Sequence, residues 1–191
     1  MPTCYVLAGL PGTGKSTMVK FIIASGMVDS DYFLYSTDRY IEEYANSVGK
    51  MYDEVFSDTI REAQDAMDTQ LAAAVKERKS IIWDQTNLSL GKRKAIVGKM
   101  GMLRVSYSII NIKNEPIYRL ECHYIAPPIT EGDITEWHHR LKTREGKTIP
   151  QNILESMASK YTLPSSDEEQ FGRIVAYDMY GTVLTDTETD K

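Results

Sequence analysis

Cysteine is nearly absent. The chain has two, Cys4 and Cys122, which make neither a disulfide framework nor a thiolate metal site; a reducing, cytoplasmic setting is the expectation. Histidine is as sparse. His123, His138 and His139 come without an H-E-x-x-H pattern or paired cysteines, so they are expected at the surface or in a lid and not around a metal. No apolar run is long enough to cross a bilayer, so no membrane association is expected. No charged-then-apolar leader precedes Thr3, so no secretory signal is expected. Positive charge is in deficit: 22 lysines and arginines face 27 aspartates and glutamates, a net charge of −5. That balance argues against a tight, non-specific nucleic-acid binder. A polynucleotide substrate needs a local basic patch instead. The candidates are Lys92-Arg93-Lys94 and the stretch from His138 to Lys147, each of which also reads as a solvated face. No internal repeat, low-complexity tract or protein-docking surface is evident.

What the sequence does have is Gly9-Leu10-Pro11-Gly12-Thr13-Gly14-Lys15-Ser16-Thr17, a match to G-x-x-x-x-G-K-[ST]. Glycines let consecutive amides turn inward into an anion-binding nest. The helix that follows adds its N-terminal partial charge. Gly9, Gly12, Thr13, Gly14, Lys15, Ser16 and Thr17 are therefore expected to bind ATP with Mg²⁺, Lys15 reaching the β- and γ-phosphates and the Ser16 hydroxyl the metal. Thr3 to Ala8 has strand character and Ser16 to Ala24 opens an amphipathic helix, the strand–loop–helix order that the motif requires.

Four further strands are expected at Tyr32 to Ser36, Ser80 to Trp83, Arg104 to Ile112 and Arg173 to Tyr177. Helices are expected at Val55 to Arg78, Leu90 to Lys99 and Pro150 to Tyr161. Alternating strands and helices predict an α/β fold of the P-loop nucleotide-triphosphatase type: a parallel five-stranded sheet flanked by helices, with an arginine-bearing lid. One domain is expected over residues 1–182, with a lid region at about 114–149 that includes a polar loop from Ile125 to Thr135, followed by a frayed acidic tail at 183–191. Ligands of such folds lie at the carboxyl ends of the strands. That rule brings the phosphate loop, Asp38 and Asp84 to one rim.

Asp38 follows the second strand in S-T-D-R-Y. A carboxylate there can orient an acceptor hydroxyl and take its proton, or cap the helix that begins near Arg39. Asp84 ends the third strand in I-I-W-D-Q-T-N. It is placed to hold Mg²⁺ or its water shell, or to form a turn with Thr86 and Asn87. Arg140 and Arg144, four apart, share a helical face. They read as an internal arginine finger closing over ATP, or as a solvated basic helix. Trp137, Tyr40 and Tyr44 read as packing before base-stacking.

With GLPGTGKST, STDRY, WDQTNLS and R-x₃-R-x-GK-x-IP in place, the chain resembles the kinase domain of phage polynucleotide kinases and the wider group of small phosphate-loop kinases, which includes zeta-toxin-like and DNA-base kinases. The resemblance covers roughly Thr3 to Tyr177. It implies that Lys15 and Ser16 bind ATP phosphates and Mg²⁺, and that Asp38 is the general base at the acceptor. It implies that Asp84, with Asn87 and Arg39 nearby, lies on the acceptor side, and that Arg144 and Arg140 grip the donor. The chain departs from the group in three places. Ile41 stands where polynucleotide kinases carry an acceptor-binding arginine, Gln85 interrupts the D-T-N element, and the segment from Asn114 to Trp137 is long. The resemblance implies phosphorylation of a hydroxyl on DNA, at a 5-hydroxymethyluracil base or a 5′ end. A small-molecule or nucleotide kinase, and a nucleotide-binding switch without kinase activity, are the alternatives.

Overall fold

Every residue of the first strand except its ends reads as apolar, and the strand is buried on both faces because sheet neighbours and helices cover it. The computed structural model describes residues 1–107, 118–144, 146–168 and 170–189. Its elements run β1 (Thr3–Ala8), α1 (Lys15–Ala24), β2 (Phe33–Tyr35), α2 (Thr37–Ser47), α3 (Tyr52–Lys76), β3 (Ile81–Trp83), α4 (Leu90–Tyr107), β4 (Arg119–Ile125), α5 (Glu131–Thr143), α6 (Gln151–Ser159), β5 (Arg173–Tyr177) and β6 (Val183–Glu188). Strand order is β2-β3-β1-β4-β5-β6. The first five strands are mutually parallel and β6 is antiparallel to β5.

Register sets the position of the site. Val6 and Tyr35 both pair with Trp83, and Ala8 pairs with Tyr124. The carboxyl ends of β1, β2, β3 and β4 therefore lie near one another. Side-chain alternation splits the core in two. Tyr5, Leu7, Ile82 and Val175 pack on Met18, Val19 and Ile22 of α1. Cys4, Val6, Trp83 and Ile174 face Met67, Leu71 and Val75 of α3 and Ile96 and Met100 of α4. Burial pushes the Cys4 and Cys122 thiols up to about 12, so both are inert packing groups. Among the described residues, no helix is long and apolar enough to cross a membrane.

The sheet departs from expectation in two places. The strand after α4 is β4 at Arg119–Ile125, whereas Arg104 to Tyr107 close α4 as helix; positions 108–112 of the expected strand lie outside the described residues. Helical spacing of Ile96 and Met100 carries α4 past Lys99. In β4 the apolar pattern is masked by Glu121 and His123, which are buried against each other, His123 Nε2 lying 3.1 Å from Glu121 Oε2. His123 is thus a core residue and not a surface or lid one. The second departure is a sixth strand. Residues expected to fray pair along β5, with Asp186 held by Arg173 at 2.6 Å and Glu188 by Arg119 at 3.3 Å.

Candidate active site

The phosphate loop joins β1 to α1. Gly14 caps α1 at φ 114°, and the first helical bonds run from Thr17 and Met18 amides to the Gly14 carbonyl. The Lys15 and Ser16 amides thus lie ahead of the helical ladder, the arrangement that suits a polyphosphate. Lys15 Nζ donates to the Gly9 and Leu10 carbonyls, both at 2.9 Å. Burial pulls its pKa down to about 8, against the opposing pull of Asp84 and Asp38. Thr13 is buried with its hydroxyl on Leu10 O, while Ser16 and Thr17 are exposed to the cleft. Gly9 is tied across to Thr86, its amide donating to the Thr86 carbonyl at 3.0 Å.

The loop opens into a cleft of about 1760 Å³ that also reaches Asp38, Asp84, Arg140, Arg144 and Lys147. That exceeds a single small-molecule pocket, roughly 300–1,000 Å³. Asp38 lies in the first turn of α2, whose cap is Ser36 Oγ accepting from the Arg39 amide at 3.3 Å. Ser36, not Asp38, is the cap, so the Asp38 carboxylate is left for the cleft. Its Oδ1 accepts from Tyr52 Oη at 2.6 Å and its Oδ2 from Lys147 Nζ at 2.5 Å. Burial pushes the Asp38 carboxyl up, but Lys147, Tyr52 and Arg144 outweigh it and hold it below the ordinary carboxylate value. Glu42 completes the cluster, taking Arg144 Nη2 at 2.8 Å and lying 3.7 Å from Lys147 Nζ.

Asp84 follows β3. Burial raises its pKa, against Lys15, and the charge of Asp38 adds to the rise. Asp84 and Ser16 are the cleft residues that suit a magnesium ion, which takes one or two protein ligands and fills its shell with phosphate and water. Among the described residues, no cluster of three or more His, Cys, Asp and Glu side chains holds a metal by itself. Gln85 is a brace: it accepts from Trp83 Nε1 at 3.0 Å and donates to Thr37 Oγ1 at 3.1 Å, joining β3 to α2. Asn87 is buried with its amide on Leu7 O at 2.7 Å, which turns it toward β1. Arg39 stands exposed at the rim and pairs with Glu43. Ile41 is fully buried among Ala45, Tyr52 and Val55, so no cation stands there.

Helix α5 sits on the phosphate loop. Trp137 Nε1 donates to Pro11 O at 2.6 Å, and Leu141 lies where a Gly12 side chain would be, 2.9 Å from an ideal Cβ. The two arginines do not share one target. Arg140 bonds Met179 O at 2.8 Å beside the Tyr180 ring, whereas Arg144 ends the helix with extended backbone and turns to Glu42. The Lys92-Arg93-Lys94 cluster is not a uniform solvated face either. Arg93 is fully buried against Glu168 at 2.5 Å, with Lys92 and Lys94 exposed on either side. Tyr52 and Lys147 had no role from sequence; for Lys147 the G-K-x-I-P segment was the available signal.

The family model described as an AAA domain, AAA_33, matches residues 5–164. No curated protein matches the sequence. Among solved structures, the chain is similar to the PezAT chromosomal toxin–antitoxin system of Streptococcus pneumoniae (TM-score 0.61, 14% identity, 97% of this chain and 71% of that one). It is similar to a putative kinase from Chloroflexus aurantiacus (0.59, 16%, 93% and 88%). It is also similar to Chaetomium thermophilum Kti12 in complex with ADP-AlF3 (0.54, 19%, 92% and 88%). At these identities the likeness is one of fold.

Proposed function

The chain belongs to the AAA_33 family, and from that premise we propose that it is a magnesium-dependent kinase that moves the γ-phosphoryl group of ATP to a hydroxyl on a nucleic acid. The observation that carries the reading is Asp38: an ionised, half-exposed carboxylate held between Tyr52 and Lys147 in the cleft that opens from the phosphate loop. A carboxylate there can orient an attacking hydroxyl and take its proton. ATP supplies the phosphoryl group, and magnesium offsets its charge when bound. Lys15 and the amides ahead of α1 bind the polyphosphate, and Ser16 and Asp84 hold the metal or its water. Asp38 orients the acceptor hydroxyl and takes its proton. Arg144, in the cluster around Asp38, adds positive charge where the transfer develops negative charge, and Arg140 lines the same cleft from the Met179 carbonyl.

A nucleic acid is favoured as acceptor by the size of the cleft and by its exposed cations Arg39 and Lys92. A base hydroxymethyl group, as in 5-hydroxymethyluracil in DNA, is favoured over a 5′ end, because Ile41 is buried where an end-binding arginine would be needed. The net charge of −5 favours the second reading, a small-molecule kinase. Transfer of label from γ-labelled ATP separates these. Duplex DNA, hydroxymethylated DNA, oligonucleotide ends and free nucleosides are offered in parallel, and the nucleosides are analysed by mass. Label on the hydroxymethylated base is expected; label on free nucleosides alone contradicts the nucleic-acid reading.

A further inference from the structure

If Asp38 is the group that meets an acceptor, as the kinase reading holds, it is already taken on both oxygens. Tyr52 occupies Oδ1 and Lys147 occupies Oδ2. Lys147 reaches it from 109 residues along the chain. The lysine side chain is 5% exposed and the aspartate 50%. The ammonium lies 3.8 Å from the Tyr52 ring centroid, a cation–π contact, and 3.7 Å from Glu42. Lys15, Asp84 and Arg144 lie within electrostatic reach of the same pair.

An ammonium is a compact charge on a flexible stem and changes partner readily. A phosphoryl group offers it several charged oxygens at once, a better acceptor set than one carboxylate oxygen. We propose that Lys147 is a catalytic residue shared between two anions: it rests on Asp38 in the nucleotide-free protein and passes to the transferring phosphoryl group when the donor binds, freeing Asp38 Oδ2 for the acceptor hydroxyl. No covalent bond changes in the exchange; one ion pair replaces another. Tyr52 keeps Oδ1 throughout and holds the carboxylate in orientation. The exchange makes donor binding the step that exposes the base, so an acceptor is engaged only once there is a phosphoryl group to receive. The chain links the two sites physically. Trp137 and Leu141 of α5 rest on the phosphate loop, and the segment after α5 is fastened to α3 by the Tyr52 amide on Gly146 O at 3.3 Å.

Calorimetry with Mg²⁺ and ADP, with and without fluoroaluminate, tests the exchange. ADP alone reports the donor site, and the gain on adding fluoroaluminate reports the phosphoryl position. Lys147→Met should bind ADP much as the unsubstituted protein does and lose about tenfold or more of the fluoroaluminate gain, the worth of a charge-assisted bond. Lys147→Arg should recover part of it. Asp38→Asn removes the competing anion, so it should enlarge the gain when Lys147 is present and leave it unchanged in the Lys147→Met background. Thermal unfolding of each variant identifies any that fail to fold, and Lys147→Arg then carries the comparison. An undiminished gain in Lys147→Met, or a diminished one in Asp38→Asn, overturns the exchange. Failure of the kinase reading has a different signature: the unsubstituted protein then passes label from γ-labelled ATP to water alone, whatever acceptor is offered, while its fluoroaluminate gain persists.

Discussion

Glu121 is a carboxylate inside a sheet, held there by three partners. Burial raises its pKa, but His123, Arg119 and Arg173 outweigh that and leave it below the ordinary value of 4.5. A carboxyl depressed on folding contributes stability that is complete above its unfolded pKa and is lost as pH falls through the folded value. Stability should therefore drop as pH falls below about 4.5, and Glu121→Gln should be less stable at neutral pH with a flatter acid limb. Urea titrations across pH 3–7 check this, pH range chosen around the carboxylate values; parallel acid limbs would place the effect elsewhere. At this scale the conformation of the phosphate loop was legible, because G-x-x-x-x-G-K-[ST] constrains backbone as well as side chain. Lys147 and Tyr52 were not. Each meets Asp38 only through tertiary contact; the G-K-x-I-P segment marks Lys147 without naming its partner, and no local pattern marks Tyr52.

Helix α5 shows how an element acquires its seat. Gly12 has φ +78°, and a Cβ there would stand 2.9 Å from Leu141 Cδ2. Gly12→Ala should therefore weaken ADP binding by about tenfold or more, from backbone strain together with the clash. Leu141→Ala in the same chain should recover part of the loss, the part due to the clash. Calorimetry of the single and double variants checks this, and a double variant no better than Gly12→Ala would mean that α5 does not press on the loop. Elements with a clean period were legible: β1, α1, α3 and β5 fall close to where their apolar spacing put them. β4 was not, since its buried Glu121 and His123 satisfy each other and read as polar. β6 was not, since its acids are neutralised by Arg173 of β5 and Arg119 of β4.

Over the whole molecule, the α/β class and the gathering of the phosphate loop, Asp38 and Asp84 at one rim followed from strand–helix alternation. The long-range ties did not. Arg93 and Glu168, 75 residues apart, form a buried pair that fastens α4 to the segment before β5, while Arg93 also bonds the Asn87 and Leu88 carbonyls behind the site. Arg93→Met strands a buried carboxylate and should cost about 3–5 kcal/mol, lowering the unfolding temperature by roughly 10 °C. Arg93→Met with Glu168→Leu should recover much of that loss, since a matched apolar pair carries no stranded charge. Thermal unfolding of both variants decides between a stabilising brace and a dispensable contact.

On the proposed function, a loop of amides beside Lys15 holds a triphosphate so that Asp38 can direct its terminal phosphoryl group to an alcohol. Single-turnover transfer from γ-labelled ATP tests it most directly, with hydroxymethylated DNA as acceptor and Asp38→Asn alongside the unsubstituted protein, ATP affinity being measured for both. The expected result is label on the DNA with the unsubstituted protein, none with Asp38→Asn, and an ATP affinity in Asp38→Asn no weaker than that of the unsubstituted protein. Label recovered only as inorganic phosphate, at the same rate in both proteins, would contradict the account.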